Sequence, residues 1–284
     1  MKDNISGLGS YTGAVEDFKK IFGVNETDSS LNHVSSILGR FAKIPYENLS
    51  KILKLNSEMG GNPYRFPDEI IDDYHRFRLG GTCFSLTFFL KSILDYYGYK
   101  TYIVMANMGT VKDSHCALVL KYNSETYLLD PGYLLHRPLL MSDPINNDVN
   151  QKNPSGLLLN KEQGLYSLWT MQGAKSKMRY SFNDTPTAIG RFVELWGRSF
   201  HWRTMHGICL SRRDKEGFCY LHNHYLKREG TAKSEKGNFS EDIGTVVNRV
   251  FGIPVDIVEK TERALKENLF ADKESGYRVP KWVK

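Results

Sequence analysis

The spacing of apolar residues changes period along this chain, from helical in the first third to strand-like alternation in the middle. Residues 13–22, 30–41 and 68–77 carry apolar positions at helical spacing, the second run ending ahead of Pro45. The apolar run from Ser85 to Tyr97 is also helix-compatible. Beyond it the pattern turns β-branched and aromatic. Strands are expected over Tyr99–Ala106, Ser114–Leu120 and Glu125–Asp130, the last stopped by Pro131-Gly132, with a polar loop from Asn107 to Asp113. Residues 142–155, rich in Asn and Pro, read as a loop or insertion. The final stretch contains Glu194-Leu195-Trp196, then a hairpin from Gly207 to Arg228 around Asp214-Lys215-Glu216-Gly217, and a helix after Ser240. The expected division is a helical domain over 1–79, a Cys-bearing helix with a β-rich domain over 80–187, and a C-terminal α/β lid over 188–284. No internal repeat breaks this pattern.

The candidate chemistry sits where helix meets strand. In Leu79-Gly80-Gly81-Thr82-Cys83-Phe84 two glycines permit a tight turn that brings backbone close to whatever binds there. Cys83 then falls on the first turn of a helix, where unpaired amides and the positive dipole end favour the thiolate. His115 lies on the second strand and shares a face with Ala117 and Val119, whereas Cys116 points the other way. Asp130 is the last residue before a turn, where a carboxylate can stay partly solvated and accept a hydrogen bond. Thiol, imidazole and carboxylate in this order follow papain-like logic: the imidazole takes the thiol proton and the carboxylate fixes its tautomer. Each residue has a plain structural reading as well. Cys83 is a buried thiol after a loop, His115 a core histidine, and Asp130 a turn residue of Asp-Pro-Gly.

Four motifs in this order resemble the arylamine N-acetyltransferase family. They are Leu79-Gly80-Gly81-Thr82-Cys83, Ser114-His115, Leu129-Asp130-Pro131-Gly132-Tyr133 and Ile44-Pro45-Tyr46-Glu47-Asn48-Leu49. The likeness fades after about Tyr133 and returns weakly at Val250-Phe251-Gly252-Ile253. It implies a ping-pong reaction in which Cys83 takes an acetyl group from acetyl-coenzyme A and hands it to an arylamine, hydrazine or N-hydroxyarylamine. It also implies that Tyr46 faces the acceptor ring, that Gly132 and Tyr133 border the pantetheine arm, and that Thr110, in the loop ahead of the histidine, contacts substrate. Leu79 stands where the family has arginine, which leaves Arg76 or Arg78 to pair with Glu47. Ser85 and Thr87 replace an acidic residue and an asparagine, and Pro131 replaces a small aliphatic residue. The expected fold is α+β: an N-terminal helical bundle, a central β-barrel-like domain with a papain- or transglutaminase-like Cys-His-Asp core, and a C-terminal α/β lid. Two other functions fit the same residues. One is a thiol hydrolase or amide synthase using this triad; the other is a catalytically silent small-molecule-binding homologue.

Composition narrows this little further. With 284 residues, 40% of them hydrophobic, the chain can bury a large core. Four cysteines without paired spacing, and no long apolar stretch or leader pattern, suggest a reduced cytoplasmic protein without membrane association. A net charge of +6 is a mild bias toward anionic ligands such as coenzyme A phosphates. No nucleic-acid partner is expected, because the most basic stretch, Lys227 to Lys236, also holds Glu229 and Glu235 and reads as a solvated loop. Cys209, Cys219, His222 and His224 match no zinc spacing, so no metal is expected. The aromatic stretch from Ser199 to Gly207 reads as packing between subdomains rather than a cleft border.

Overall fold

The computed structural model describes residues 11–24, 30–58, 61–142, 157–172, 175–214, 217–230 and 234–284. The first part of the chain is helical: α1 (Thr12–Phe22), α2 (Leu31–Phe41), α3 (Leu49–Ser57), α4 (Pro67–Phe77) and α5 (Cys83–Tyr96), with a two-residue strand β1 (Tyr46–Glu47) ahead of α3. The boundaries follow local chemistry. Ser30 caps α2 by accepting from the His33 amide, and Pro67 opens α4, where its missing N–H leaves no bond unmade. The short helix α3 was not expected from the sequence. Its first four residues, Leu49, Ser50, Lys51 and Ile52, are all buried, so the polar face that marks an amphipathic helix is absent there.

Helix α5 is the hub. From Cys83 to Leu94 every residue but Lys91 is buried, as befits a helix surrounded on all sides. Phe89 meets Phe18 and Phe41 at 6.0 and 5.4 Å between ring centroids, and Phe88 meets Tyr11 edge-on at 5.5 Å. Full burial of such a ring is worth on the order of 3 kcal/mol, which holds the bundle to the hub.

The middle of the chain forms a seven-stranded, nearly closed barrel-like sheet in the order β5-β4-β3-β2-β8-β7-β6. Its strands are β2 (Lys100–Met108), β3 (Val111–Tyr122), β4 (Glu125–Leu129), β5 (Leu139–Leu140), β6 (Leu157–Glu162), β7 (Leu165–Gln172) and β8 (Lys175–Asn183). The polar stretch from Asn107 to Asp113 is not a loop. β2 and β3 run through it as a hairpin, with Met108 opposite Val111 and Gly109 taking the left-handed conformation at the tip. Side chains alternate across β3. Cys116, Leu118 and Leu120 pack into the core around α5, whereas Ala117 and Val119 pack inside the curled sheet with Leu168, Tyr180 and Phe182. Residues 143–155 of the proposed insertion lie outside the described residues.

The last part contributes α6 (Ile189–Arg198), then β9 (Cys209–Asp214), β10 (Gly217–His222), β11 (Tyr225–Gly230), β12 (Ser234–Asn238), α7 (Ile243–Phe251) and α8 (Val255–Glu274). Strand β1 joins this sheet beside β9, with Tyr46 opposite Ser211. The second turn was not foreseen: β10 ends at His222, and Asn223 turns the chain with φ of 50° into β11. Of the basic stretch expected as a loop, residues 227–230 lie in β11 and residues 234–236 in the exposed strand β12 paired with it, while residues 231–233 lie outside the described residues. Between α6 and β9, Phe200 is buried in the core around α5 and Trp202 lies 5.8 Å from Phe84. Among the described residues no helix is long and apolar enough to cross a membrane.

Candidate active site

The turn before α5 is built by close approach. A Cβ on Gly80 would collide with the Pro45 carbonyl, and one on Gly81 would collide with the Ser85 hydroxyl. What the two glycines admit is thus the chain's own backbone and side chains. Glu47 locks the turn: its carboxylate accepts from the Gly80 amide at 3.1 Å, the Ser50 amide at 2.9 Å and the Ser50 hydroxyl. Neither arginine suggested as its partner is there. Arg76 pairs with Asp72, and Arg78 lies over the Tyr74 ring. Three neutral donors and a helix start do the work that a guanidinium would have done.

Thr82 is the N-cap of α5 and Cys83 its first residue, so the thiol stands at the positive end of a 14-residue helix. His115 enters from β3. Its Nε2 lies 2.8 Å from Asp130 Oδ2, which leaves Nδ1 for the thiol, whose nearness helps to raise the affinity of the ring for a proton. Asp130 closes the series. It is fully buried, not partly solvated as expected, and its charge is met by three donors: His115, the Tyr180 hydroxyl at 2.6 Å and the Tyr133 amide at 3.0 Å. Tyr180 comes from β8, 50 residues on, and no local pattern in the sequence marks it.

Gly132 shows how tightly these groups converge. A Cβ there would lie 2.9 Å from His115 Cε1, 3.0 Å from Cys83 Cβ and 3.3 Å from Asp130 Oδ1. One point in space touches all three side chains. Tyr133 lies edge-on to the His115 ring at 5.3 Å, and Tyr180 lies 4.7 Å from it.

The surroundings favour a thiolate–imidazolium pair. The Cys83 thiol is held well below its ordinary range, first by a hydrogen bond with Cys116, then, against the opposing effect of burial, by the bond and charge of His115 and by Lys51. Burial disfavours the charged form of His115, but Asp130 and the thiolate outweigh it and lift the imidazole to about 10. Cys116 does point to the opposite face from His115, yet that face is the one α5 covers, and there it meets Cys83. Its own thiol donates to Thr87 Oγ1 at 3.5 Å and is pushed well above the usual range by burial and then by Cys83, so it stays protonated beside Cys83 and is not a rival.

The other candidates fall into two groups. Tyr46 bridges to Gly81, and burial, then the nearby Cys209 and Cys83, pushes its hydroxyl well above the ordinary range, so it stands near Cys83. Thr110 is apart from these residues, exposed at the tip of the β2–β3 hairpin beyond the Met108–Val111 pair. Among the described residues no three His, Cys, Asp or Glu side chains group so as to hold a metal ion, and all four cysteines are free thiols.

Comparison with known proteins gives the same outline. The N-acetyltransferase family model matches residues 30–260. Among solved structures, an arylamine N-acetyltransferase from Salmonella typhimurium has a TM-score of 0.72 at 15% identity, covering 89% of this chain and 99% of that one. The Mycobacterium marinum arylamine N-acetyltransferase in complex with CoA has a TM-score of 0.72 at 17% identity, covering 88% and 98%. An arylamine N-acetyltransferase from Bacillus cereus, described as having a Cys-His-Glu triad, has a TM-score of 0.68 at 18% identity, covering 86% and 99%. No curated protein matches the sequence.

Proposed function

Because the chain belongs to the arylamine N-acetyltransferase family, a family of acyltransferases, we propose that it moves an acetyl group from acetyl-coenzyme A through a Cys83 thioester to an arylamine, hydrazine or N-hydroxyarylamine. The observation that carries this reading is the convergence on Gly132 of a thiol at a helix N-terminus, an imidazole and a buried carboxylate. The CoA bound to the Mycobacterium marinum protein supports the donor.

The geometry supports the following steps. The Cys83 thiolate attacks the acetyl carbonyl, and the tetrahedral oxyanion forms near the start of α5, where the Cys83 amide is the proposed donor. As it collapses, the coenzyme A thiolate leaves and takes the proton held on His115. An amine then attacks the thioester; His115 accepts its proton, the carbon–sulfur bond breaks, and the thiolate–imidazolium pair returns. Asp130 keeps the Nε2–H pointed at itself throughout, so Nδ1 always faces the sulfur. The two neutral hydroxyl and amide donors on Asp130 let it hold a full charge while buried. Tyr46 is the proposed wall for the acceptor ring, and Gly132 with Tyr133 the proposed border of the pantetheine arm. Thr110 is proposed to contact substrate from the hairpin tip. The protein is proposed to work without a metal, as a cytoplasmic enzyme.

Intact mass after mixing with acetyl-coenzyme A tests the first half-reaction, and release of the adduct on adding an arylamine tests the second. Amine-dependent release supports transfer. Amine-independent turnover would make the protein a hydrolase. No adduct, together with a Cys83 no more reactive than free cysteine, would leave only a binding protein.

A further inference from the structure

Lys51 is a buried cation that the reaction above does not use. It leaves the first turn of α3 and is 5% exposed. Its Nζ donates to the Ser199 carbonyl at 3.1 Å and the Ser199 hydroxyl at 2.6 Å, and lies 4.4 Å from the centre of the Phe200 ring. Ser199 is itself fixed, its hydroxyl donating to the Trp196 carbonyl at 2.6 Å. Among the described residues no carboxylate pairs with Lys51. The nearest in sequence, Glu47, is spent on Ser50 and Gly80. A buried ammonium without a counter-ion is costly, and proteins keep such groups mainly where the charge has a task.

Its place in the fold says which task. α3 follows directly on the Glu47 clamp that holds the Gly80–Gly81 turn, and that turn leads into Cys83. On the other side, Trp196, the residue that fixes Ser199, stacks on Phe84, the neighbour of Cys83, at 6.4 Å. Lys51 is therefore clamped between the two walls that flank the nucleophile. The charges that raise its affinity for a proton are Cys83 and Cys116, against a burial effect that brings its ammonium down to about 7. The titratable groups facing the same sulfur are His115 and Cys116 from β3, Tyr46 from β1 and Tyr133 after β4, with Asp130 behind His115.

We propose that Lys51 is a positioning residue for the nucleophile: a clamped, buried ammonium whose counter-ion is the Cys83 thiolate. The proposal rests on Cys83 being the reactive thiol, as in the function proposed above. While it is charged, below a pH of about 7, it gives the sulfur a second positive neighbour besides His115.

The test is the pH dependence of Cys83 alkylation by iodoacetamide, read by peptide mass so that Cys116, Cys209 and Cys219 are followed separately. Lys51→Met keeps the stem and removes the charge, and Lys51→Arg keeps the charge. We expect the Lys51→Met profile to move up by about one pH unit, making alkylation roughly tenfold slower below its plateau. Lys51→Arg is expected to stay within about threefold of the wild-type rate, and thermal unfolding of Lys51→Met to show no loss of stability, since an apolar replacement of a buried charge is often neutral. An unmoved profile in folded Lys51→Met overturns the proposal while leaving the acyl-transfer reading intact. A wild-type Cys83 that alkylates only at the pH of an ordinary thiol overturns both.

Discussion

Gly132→Ala is the smallest change that tests the convergence of the site. The added methyl would sit 2.9 Å from His115 Cε1 and 3.0 Å from Cys83 Cβ, where ordinary carbon–carbon contact begins near 3.4 Å. Something must give by about half an ångström, and Cys83 is anchored in a buried helix. The His115 ring is the movable partner, although Asp130 at 2.8 Å and the Tyr180 ring at 4.7 Å resist it. Gly132 does not have a positive φ, so the methyl adds no backbone strain of its own. Overpacking of this kind costs roughly 1–3 kcal/mol in stability. A 1 Å misplacement costs about a hundredfold in rate, so a shift of about half that size should slow acylation by about tenfold or more. The assay is single-turnover acylation by acetyl-coenzyme A followed by quenched intact mass, beside thermal unfolding of the same variant. A folded Gly132→Ala protein that acylates at the wild-type rate would refute the picture of three groups meeting at one point.

Other expectations follow from the same geometry. Cys83→Ser should fold and unfold like the wild type and form no stable acyl adduct; turnover retained by that variant would remove Cys83 from the mechanism. Tyr180→Phe takes one of three donors from a buried carboxylate, so it should destabilise the protein by about 1–3 kcal/mol in denaturant unfolding and slow acylation, and no change in either measurement would show that Tyr180 is idle. Glu47→Gln turns an amide N–H toward the Gly80 or Ser50 donors, and a loss of about 2 kcal/mol in urea unfolding is expected, an unchanged midpoint being the contrary result. For pH, the His115 value is raised from its unfolded value near 6.5 to about 10, so its share of stability is complete below about 6.5 and fades as pH climbs through about 10. Unfolding free energy of wild type against His115→Gln, measured from pH 6 to pH 10.5, should converge at the alkaline end, and parallel curves would contradict the shift.

How far the sequence carries depends on whether the deciding interaction is local. Helices α1, α2 and α4 were legible because each has a polar face and a local stop or cap, such as Ser30 or Pro67. Helix α3 was not, because its first turn is buried, in part by partners more than a hundred residues away, Ser199 and Asn268 among them. The polar run from Asn107 to Asp113 misled for a similar reason. Met108 to Lys112, at the tip of the β2–β3 hairpin, are exposed to solvent, so hydrophilic residues there do not interrupt pairing.

The candidate site divides along the same line. Cys83 was legible because a helix start acts on the thiol it carries, and the turn ahead of it is written in adjacent glycines. His115 and Asp130 followed from strand alternation and a stop signal. What escaped is everything that reaches the triad from another face of the fold: Tyr180 from β8, Cys116 from the far side of its own strand, and Lys51 from α3. Each of these acts on charge and not on chain direction, so none leaves a periodic or turn signature. The three also share a consequence. Burying Asp130 fully and Cys83 almost fully penalises both anions, and it is the long-range neighbours that make the burial tolerable. The triad's identity is therefore a local property of the sequence, whereas its ionisation is a property of the whole fold. A substitution at Tyr180 or Lys51 should thus change the pH at which the thiol reacts while leaving in place the residues by which the site is recognised.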